Sequence, residues 1–303
     1  MNVRRRRMSA AARRVARCAA RIATVLTITF AAGAEARAAE RTETLEREIA
    51  LASVVREVVI DNVLGPVHVI TGAEGKVVLE VRQHATARRE TALEDAFREV
   101  TLKVETTEDR LELVQDGPFR CNEGGRWWRS DCDWDPDYEL TWEWNVTVPP
   151  GVDLEVSTVN GGTLSVDGAS GSLRAINVNG ALRLTGLAPS DVEAVTVNGG
   201  VVAEFTRAPS GDSTFKTVNG KVELALPRDV AAEVAVETLH GDLYSDFEVE
   251  AVPVKAVAER ESGNARRYRY TQDMVVRIGG GGSKSPVRLD CTTVNGDVVV
   301  RAR

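Results

Sequence analysis

The sequence is poor in aromatic residues and in histidine. Aromatic side chains make up 5% of the 303 residues, and histidine occurs three times. The net charge of −7 offers little attraction to a polyanion, which argues against nucleic acid as a partner. Hydrophobic residues nevertheless make up 43% of the chain, which is enough to bury a core and argues against disorder in most of it.

Sequence motifs of several enzyme classes are also missing. The chain has no G-x-S-x-G, H-E-x-x-H or P-loop pattern, and His68, His84 and His240 are scattered along it. We therefore predict a protein that is not an enzyme and needs no cofactor. After residue 38, no apolar run approaches the ~20 residues that a membrane-spanning helix needs, so we expect no transmembrane segment there.

Residues 1–38 have the composition of a secretory signal peptide. An arginine-rich start, with Met8 as an alternative first residue, is followed by an apolar stretch over 22–33. Ala36-Arg37-Ala38 then fits a cleavage site. Without 1–38, which hold nine Arg and one Glu, the net charge would be −15. We predict an exported protein, located in the periplasm, at the cell surface or outside the cell.

A four-residue phrase, T-V-N-G or a close variant, recurs through the second half of the chain. Its third position advances by 19, 19, 21, 21 and 55 residues. The residues at this position are Asn160, Asn179, Asn198, Asn219, His240 and Asn295. A degenerate earlier copy has Leu64 there. Short apolar alternation on both sides of a phrase with a period near 20 predicts an all-β, single-chain β-solenoid with rungs of ~20 residues over 39–303.

The Asn-Gly dipeptide suggests how each phrase is built. Asn and Gly tolerate positive φ, which predicts a tight turn between two short strands with Asn in the left-handed region. Stacked rungs would align the third-position side chains so that their amides bond to one another. This gives the column a structural role, with a row of ligand contacts as the alternative. Cys291 lies in the inward apolar column, so we expect it to be buried.

Two insertions, 118–144 and 246–287, interrupt the pattern, and the first contains all five tryptophans. Cys121 and Cys132 enclose ten residues of this first insertion. In an oxidising compartment this pair predicts a disulfide that closes a small loop. Alternation places four acids on one face of an extended strand: Asp131, Asp133, Asp135 and Asp137. They predict a solvated acidic loop, a Ca²⁺ site or pairing with Arg126 and Arg129.

Three tryptophans of the first insertion are the candidate ligand contacts. They are Trp127, Trp128 and Trp134. Such rings form a stacking platform for sugars or an apolar contact for a partner. The alternative is that they cover the open end of the stack, because a β-solenoid needs a cap against edge pairing.

The repeats and the segment before them resemble a known family. The run N-V-T-V-P-P-G-V-D-L over 145–154 and the T-V-N-G copies are similar to the bacterial putative-adhesin family of β-strand-repeat proteins of unknown function. G-G-G-G at 279–282 leading to T-V-N-G-D at 293–297 fits the end of that pattern. The resemblance covers roughly residues 55–303. It implies a β-solenoid at the cell envelope and supplies no catalytic residues.

These patterns favour an exported, non-enzymatic, adhesin-like binding or scaffold module at the bacterial cell envelope. Its partner would be an unidentified glycan or protein of the envelope. The alternative is a Ca²⁺-assisted, polysaccharide-acting β-helical enzyme that uses the acids between Asp131 and Asp137. Discriminating the two requires the arrangement of these acids around a groove, because paired carboxylates act only at a defined separation.

Overall fold

The computed structural model of the protein describes residues 39–52, 54–72, 74–120, 134–252, 258–259, 267–268, 274–279 and 286–303. In this part of the chain the fold is all-β with one helix, α1 (Glu90–Glu99). The strands are β1 (Ala39–Ala50), β2 (Glu57–Asp61), β3 (Val67–Thr71), β4 (Lys76–Ala87), β5 (Thr101–Thr106), β6 (Arg110–Asp116), β7 (Tyr138–Val148), β8 (Asp153–Asn160), β9 (Leu164–Asp167), β10 (Leu173–Asn179), β11 (Leu182–Leu187), β12 (Val192–Val195), β13 (Val201–Phe205), β14 (Ser213–Lys216), β15 (Val222–Leu226), β16 (Ala232–His240), β17 (Leu243–Ser245), β18 (Val249–Val252), β19 (Ala258–Glu259), β20 (Arg267–Tyr268), β21 (Met274–Ile278), β22 (Val287–Asn295) and β23 (Val298–Ala302). Across the described ranges, no helix has the length and apolarity to cross a membrane.

Two large sheets hold almost all of these strands. The ten-stranded sheet has the order β1-β4-β7-β3-β9-β11-β13-β15-β23-β17. The eleven-stranded sheet has the order β18-β21-β16-β22-β14-β12-β10-β8-β2-β6-β5. Strands β19 and β20 pair only with each other. The all-β prediction is therefore confirmed, whereas the β-solenoid stays a prediction.

Seven strand pairs repeat one arrangement, in which a strand of the eleven-stranded sheet passes through a corner into the ten-stranded sheet. We call each pair a rung. In space the rungs follow the order β2/β3, β8/β9, β10/β11, β12/β13, β14/β15, β22/β23 and β16/β17. Neighbouring rungs are parallel and in register, so that Ala175 lies between Val156 and Ala194. Alternate side chains point inward, and those of both sheets form one hydrophobic core.

The C-terminal rung does not occupy the place that its position in the sequence suggests. Strands β22 and β23 lie between β14/β15 and β16/β17, although they follow both in the chain. Asn295 consequently pairs with Asn219 on one side and with His240 on the other. Simple stacking in chain order would put the rung of His240 directly on that of Asn219. The 55-residue step from His240 to Asn295 therefore leads to a rung that is inserted in space between two earlier rungs.

The corner corrects the predicted role of the Asn-Gly dipeptide. None of the described non-glycine residues has a positive φ, so the asparagines are not in the left-handed region. They are extended because each continues the parallel ladder, as Asn198 does between Asn179 and Asn219. The glycine is required by close approach instead. A Cβ on Gly180 would lie 1.8 Å from the carbonyl oxygen of Gly162 in the neighbouring corner.

Threonine at the first position of the phrase also has a specific partner. Thr196, Thr217 and Thr293 are buried. Their hydroxyls donate to the carbonyl oxygens of Gly180, Gly199 and Gly220 at 2.8, 2.7 and 2.9 Å. Each hydroxyl thus supplies a donor to a backbone acceptor of the adjacent rung. The corner is fixed by side chain to backbone bonds as well as by the ladder.

The first end of the stack, where β2/β3 lies, is covered by longer antiparallel strands and by the helix. β4 pairs with β1 over twelve residues and with β7 over ten. Helix α1 buries Ala92, Leu93 and Ala96. On β7, Trp142 and Trp144 are 1% and 0% exposed, with ring centroids 6.0 Å apart. These two tryptophans belong to the core.

Of the four cysteines, Cys291 alone lies among the described residues. Cys291 is buried and has a free thiol, as its place in the inward column predicts, and burial raises the pKa of that thiol. Cys121 and Cys132 lie outside the described residues, so their disulfide stays a prediction. Residues 1–38 and most of the 246–287 insertion between β18 and β22 also lie outside them.

Candidate functional site

A depression of about 470 Å³ lies where helix α1 meets the start of β7. Its lining comes from two parts of the chain that are more than 30 residues apart in sequence. They are Arg89, Thr91, Ala92, Asp95 and Glu99 around α1, and Trp134, Asp135, Pro136, Asp137 and Tyr138 before and at the start of β7. We call this the α1 depression. It includes residues 134–138 of the tryptophan-rich insertion.

Trp134 forms the aromatic wall of the α1 depression. Its ring meets Phe119 edge to face, with centroids 5.4 Å apart and an interplanar angle of 70°. It meets Tyr138 in a similar way at 6.1 Å and 71°. Trp134 is partly buried and packs against the hydrophobic core. The two contacts fix the ring in place, so the side chain both packs the end of the fold and borders the depression.

Tyr138 and Glu99 connect β7 to the helix. The Tyr138 hydroxyl donates a hydrogen bond of 3.0 Å to Oε2 of Glu99. Burial, and after it this bond to Glu99, raise the pKa of the Tyr138 phenol. The phenol therefore keeps its proton throughout the physiological range and acts as a hydrogen-bond donor.

Charged side chains form the rim of the α1 depression. The guanidinium of Arg89, directly before α1, pairs with the carboxylate of Asp137. Asp95 pairs with Arg98 on the same helix, and Glu99 lies 3.6 Å from the same guanidinium. Asp135 is exposed. An aromatic wall within a rim of hydrogen-bonding groups is suited to binding a polar ligand by ring contact and hydrogen bonds.

The structure brings part of the predicted site together. Trp134, Asp135 and Asp137 all border the α1 depression. The remaining predicted residues of this insertion lie outside the described residues: Trp127, Trp128, Asp131, Asp133, Cys121 and Cys132. Of the three interpretations of the acids, pairing with an arginine is seen for Asp137, although the partner is Arg89. Within the described part of the chain, no group of three His, Cys, Asp or Glu side chains is placed to hold a metal ion.

The asparagine column lies along one corner of the stack. Each amide donates to the side-chain oxygen of the preceding rung, from Asn179 to Asn160, Asn198 to Asn179, Asn219 to Asn198 and Asn295 to Asn219, at 2.7 to 2.9 Å. The backbone of His240 continues the column beside Asn295. Because the amides bond to one another, the geometry fits a structural role for these side chains. The column is exposed and borders half-exposed or exposed valines of the phrase.

The three histidines occupy three separate places. His68 on β3 bonds through Nδ1 to Oγ of Ser165 at 2.7 Å, and His84 on β4 bonds through Nδ1 to Oγ1 of Thr42 at 3.1 Å. His240 ends β16 at the corner. The structure therefore does not bring the histidines together.

Sequence reasoning missed the residues that come to the α1 depression from the helix. Arg89 precedes Asp137 by 48 residues, and Glu99 precedes Tyr138 by 39. The antiparallel pairing of β4 with β7 makes these contacts, since it returns β7 to the side of the helix that follows β4. The only sequence signal was the pair of long alternating segments that become these two strands.

Comparison with known proteins gives low similarity to solved structures. A "putative cell adhesion protein" from Clostridium sporogenes is 13% identical with a TM-score of 0.40, over 86% of this chain and 100% of that one. A "putative adhesin" from Bacteroides fragilis is 10% identical with a TM-score of 0.29, over 86% and 97%. A "putative lipid binding protein" from Parabacteroides distasonis is 10% identical with a TM-score of 0.34, over 86% and 96%. Similarity at this level carries no argument about function. No protein-family model matches the chain, and no curated protein matches it.

Proposed function

We propose that this chain is an exported, non-enzymatic, adhesin-like binding or scaffold module of the bacterial cell envelope. The observation that carries the proposal is the α1 depression, in which Trp134 and Tyr138 form an aromatic wall beside the Arg89–Asp137 ion pair. Its ligand would be a polar component of the envelope, a glycan or a protein. The negative charge of the chain argues against nucleic acid.

The stack supports this proposal by providing a rigid base. Parallel strands in register, the threonine bonds and the amide ladder hold the rungs to their neighbours. The depression borders the covered end of that base, so its groups are positioned by long strands rather than by loops alone. A preformed site of this kind loses little conformational entropy when a ligand binds.

The finer assignments belong to the same proposal. The repeated rungs over 39–303 would form a β-solenoid, and 1–38 would be removed as a signal peptide. The insertion 118–144 would carry the Cys121–Cys132 disulfide and present Trp127 and Trp128 near Trp134. Insertion 246–287 would join the sixth and seventh rungs. Export is tested by the N-terminal residue of the mature protein, which we expect to be Ala39.

A ligand screen with matched variants tests the binding function. The native exported protein is presented to a panel of envelope glycans and purified envelope proteins, and each hit is titrated. We expect Trp134→Ala to weaken binding about tenfold or more, because ring contacts of this kind contribute roughly 1–3 kcal/mol. Trp127→Ala/Trp128→Ala should also weaken it.

The control is Ile70→Ala, at an exposed side chain on β3 outside the depression, which should bind as the wild type does. Thermal unfolding of every variant separates loss of binding from loss of fold. Equal affinity of the wild type and Trp134→Ala for every hit would contradict the proposed site. Release of reducing sugar from any glycan would favour the polysaccharide-acting alternative.

A further inference from the structure

The C-terminal rung is held in a slot between two rungs that precede it in the chain. In the ten-stranded sheet β23 pairs with β15 and β17, and in the eleven-stranded sheet β22 pairs with β14 and β16. All four pairings are parallel and in register. The rung is therefore bound on both faces by backbone ladders, as the rungs in the middle of the stack are.

Side chains and backbone bonds seat this rung in the slot. Leu289, Cys291, Val298 and Val300 are at most 1% exposed. Asn295 Nδ2 donates to Asn219 Oδ1 at 2.8 Å, and the Thr293 hydroxyl donates to the Gly220 carbonyl at 2.9 Å. On the other face, the Thr238 hydroxyl donates to the carbonyl of Gly296 at 3.2 Å. These are the contacts that earlier rungs make with one another.

The covalent connection to the C-terminal rung is longer than the distance between its two ends requires. Ile278 at the end of β21 and Val287 at the start of β22 both pair with Ala232, on opposite sides of β16. Two strand spacings separate them, or roughly 10 Å. Eight residues with the sequence G-G-G-G-S-K-S-P cross this distance, although about three would reach it. Gly279 leaves β21 against the backbone, since a Cβ there would lie 1.7 Å from the Val230 carbonyl oxygen.

We propose that this slot also accepts the C-terminal rung of a second copy of the chain, so that two copies associate by reciprocal exchange of residues 287–302. Every bond described above forms equally well with a rung from either copy, because the copies are identical. Exchange of an identical element costs little for this reason. The rung is synthesised last and must enter between two earlier rungs, which leaves the slot open to a neighbouring copy during folding. The inference is independent of the proposed ligand site, which lies at the other end of the stack.

Two variants of the full chain, each with one introduced cysteine, test the exchange. Glu237 and Thr292 are register partners on adjacent parallel strands, at a separation that a disulfide bridges. Glu237→Cys and Thr292→Cys chains carrying different tags are unfolded together, refolded and oxidised. Exchange places the two introduced thiols side by side, each from a different chain. We expect disulfide-linked heterodimers at least tenfold above the homodimers that either variant forms alone. Circular dichroism confirms that both variants fold.

A second experiment changes the length of the connection between β21 and β22. Deleting residues 280–285 leaves three Cα–Cα steps, or about 11 Å, to pass around β16, which opposes closure within one chain. We expect this deletion to increase the heterodimer fraction and a duplication of 280–285 to reduce it. Heterodimers at the homodimer background with the native connection would overturn the proposal. A heterodimer fraction that changes with neither the deletion nor the duplication of 280–285 would also overturn the proposal.

Discussion

At each of several corners, the hydroxyl of one threonine forms a hydrogen bond to the corner of the adjacent rung. Thr217 is 3% exposed, and its hydroxyl donates to the carbonyl oxygen of the partly buried Gly199 at 2.7 Å. Thr214 lies three residues earlier, on β14, and is half-buried. The two positions therefore offer a matched pair in which the same chemical change has different consequences.

Replacing Thr217 by Val keeps the shape of the side chain but removes the donor. The Gly199 carbonyl is then left without this partner, and the free energy of unfolding should fall by about 1–3 kcal/mol. Thr214→Val is the control and should change it by less than about 0.5 kcal/mol. Urea unfolding of the three proteins measures the difference. Equal stability of the two variants would contradict the role assigned to the hydroxyl.

At the corner, the sequence predicted the alignment of the residues better than their backbone conformation. The sequence pattern placed a column of asparagines and glycines in register, and the amide bonds between Asn179, Asn198 and Asn219 have the geometry expected of such a ladder. The assumption that Asn-Gly requires positive φ was wrong, because the asparagines stay in the extended ladder. The glycines are needed because the corners of adjacent rungs approach one another within contact distance of a Cβ. That approach depends on tertiary stacking, which a local dipeptide rule does not contain.

Ion pairs connect neighbouring strands on the outer faces of both sheets. On β15, Glu223 accepts a hydrogen bond from Lys221 at 2.5 Å and lies 2.9 Å from the Arg301 guanidinium on β23. Lys221, and then the charges of Arg301 and Arg183, hold the pKa of Glu223 below its usual value of 4.5 against the opposing effect of burial. This carboxylate links the C-terminal rung to the rung before it.

The lowered pKa of Glu223 predicts a change of stability with pH. A carboxyl whose pKa is lower in the folded state stabilises the fold above the pKa of the unfolded chain, and this contribution is lost as pH falls through the folded value. Glu223→Gln should therefore cost up to about 1 kcal/mol near neutral pH and nothing once pH is well below 4.5. Urea unfolding between pH 3 and 7 measures this difference. Glu237→Gln, at an exposed side chain, is the control, and a constant gap between Glu223→Gln and wild type across that range would contradict the account.

The rungs could be predicted from the sequence because each one carries its own signal. A phrase near every 20 residues, flanked by apolar alternation, identifies strands such as β10 and β11 and the inward side chains between them. The order of the rungs could not be predicted in this way. Any rung fits on any other, since the pattern repeats, so the place of β22/β23 depends on how the chain between β17 and β22 runs. The α1 depression was missed in part for a similar reason, because its two halves meet through the long pairing of β4 with β7.

For the molecule as a whole, the two ends of the stack differ. One end is covered by β1, β4, β7 and α1, and carries the α1 depression with Trp134. At the other end the last two rungs are out of sequence order, and the C-terminal rung lies in the slot that we propose to be exchangeable. The proposed ligand site and the proposed self-association thus use different ends of one base. The proposed self-association depends on the order of the rungs.

The most direct test of that order is a disulfide between cysteines introduced in place of Lys216 and Thr292. These residues are register partners on adjacent strands β14 and β22, and both are accessible on the outer face. Val195 lies one strand further away, beside Lys216, and is therefore roughly 10 Å from Thr292. We expect Lys216→Cys/Thr292→Cys to form the disulfide on oxidation, detected as a linked peptide by mass spectrometry, and Val195→Cys/Thr292→Cys not to form it. Stacking in chain order would place β16 between β14 and β22, so absence of the first disulfide in the folded protein would contradict the account.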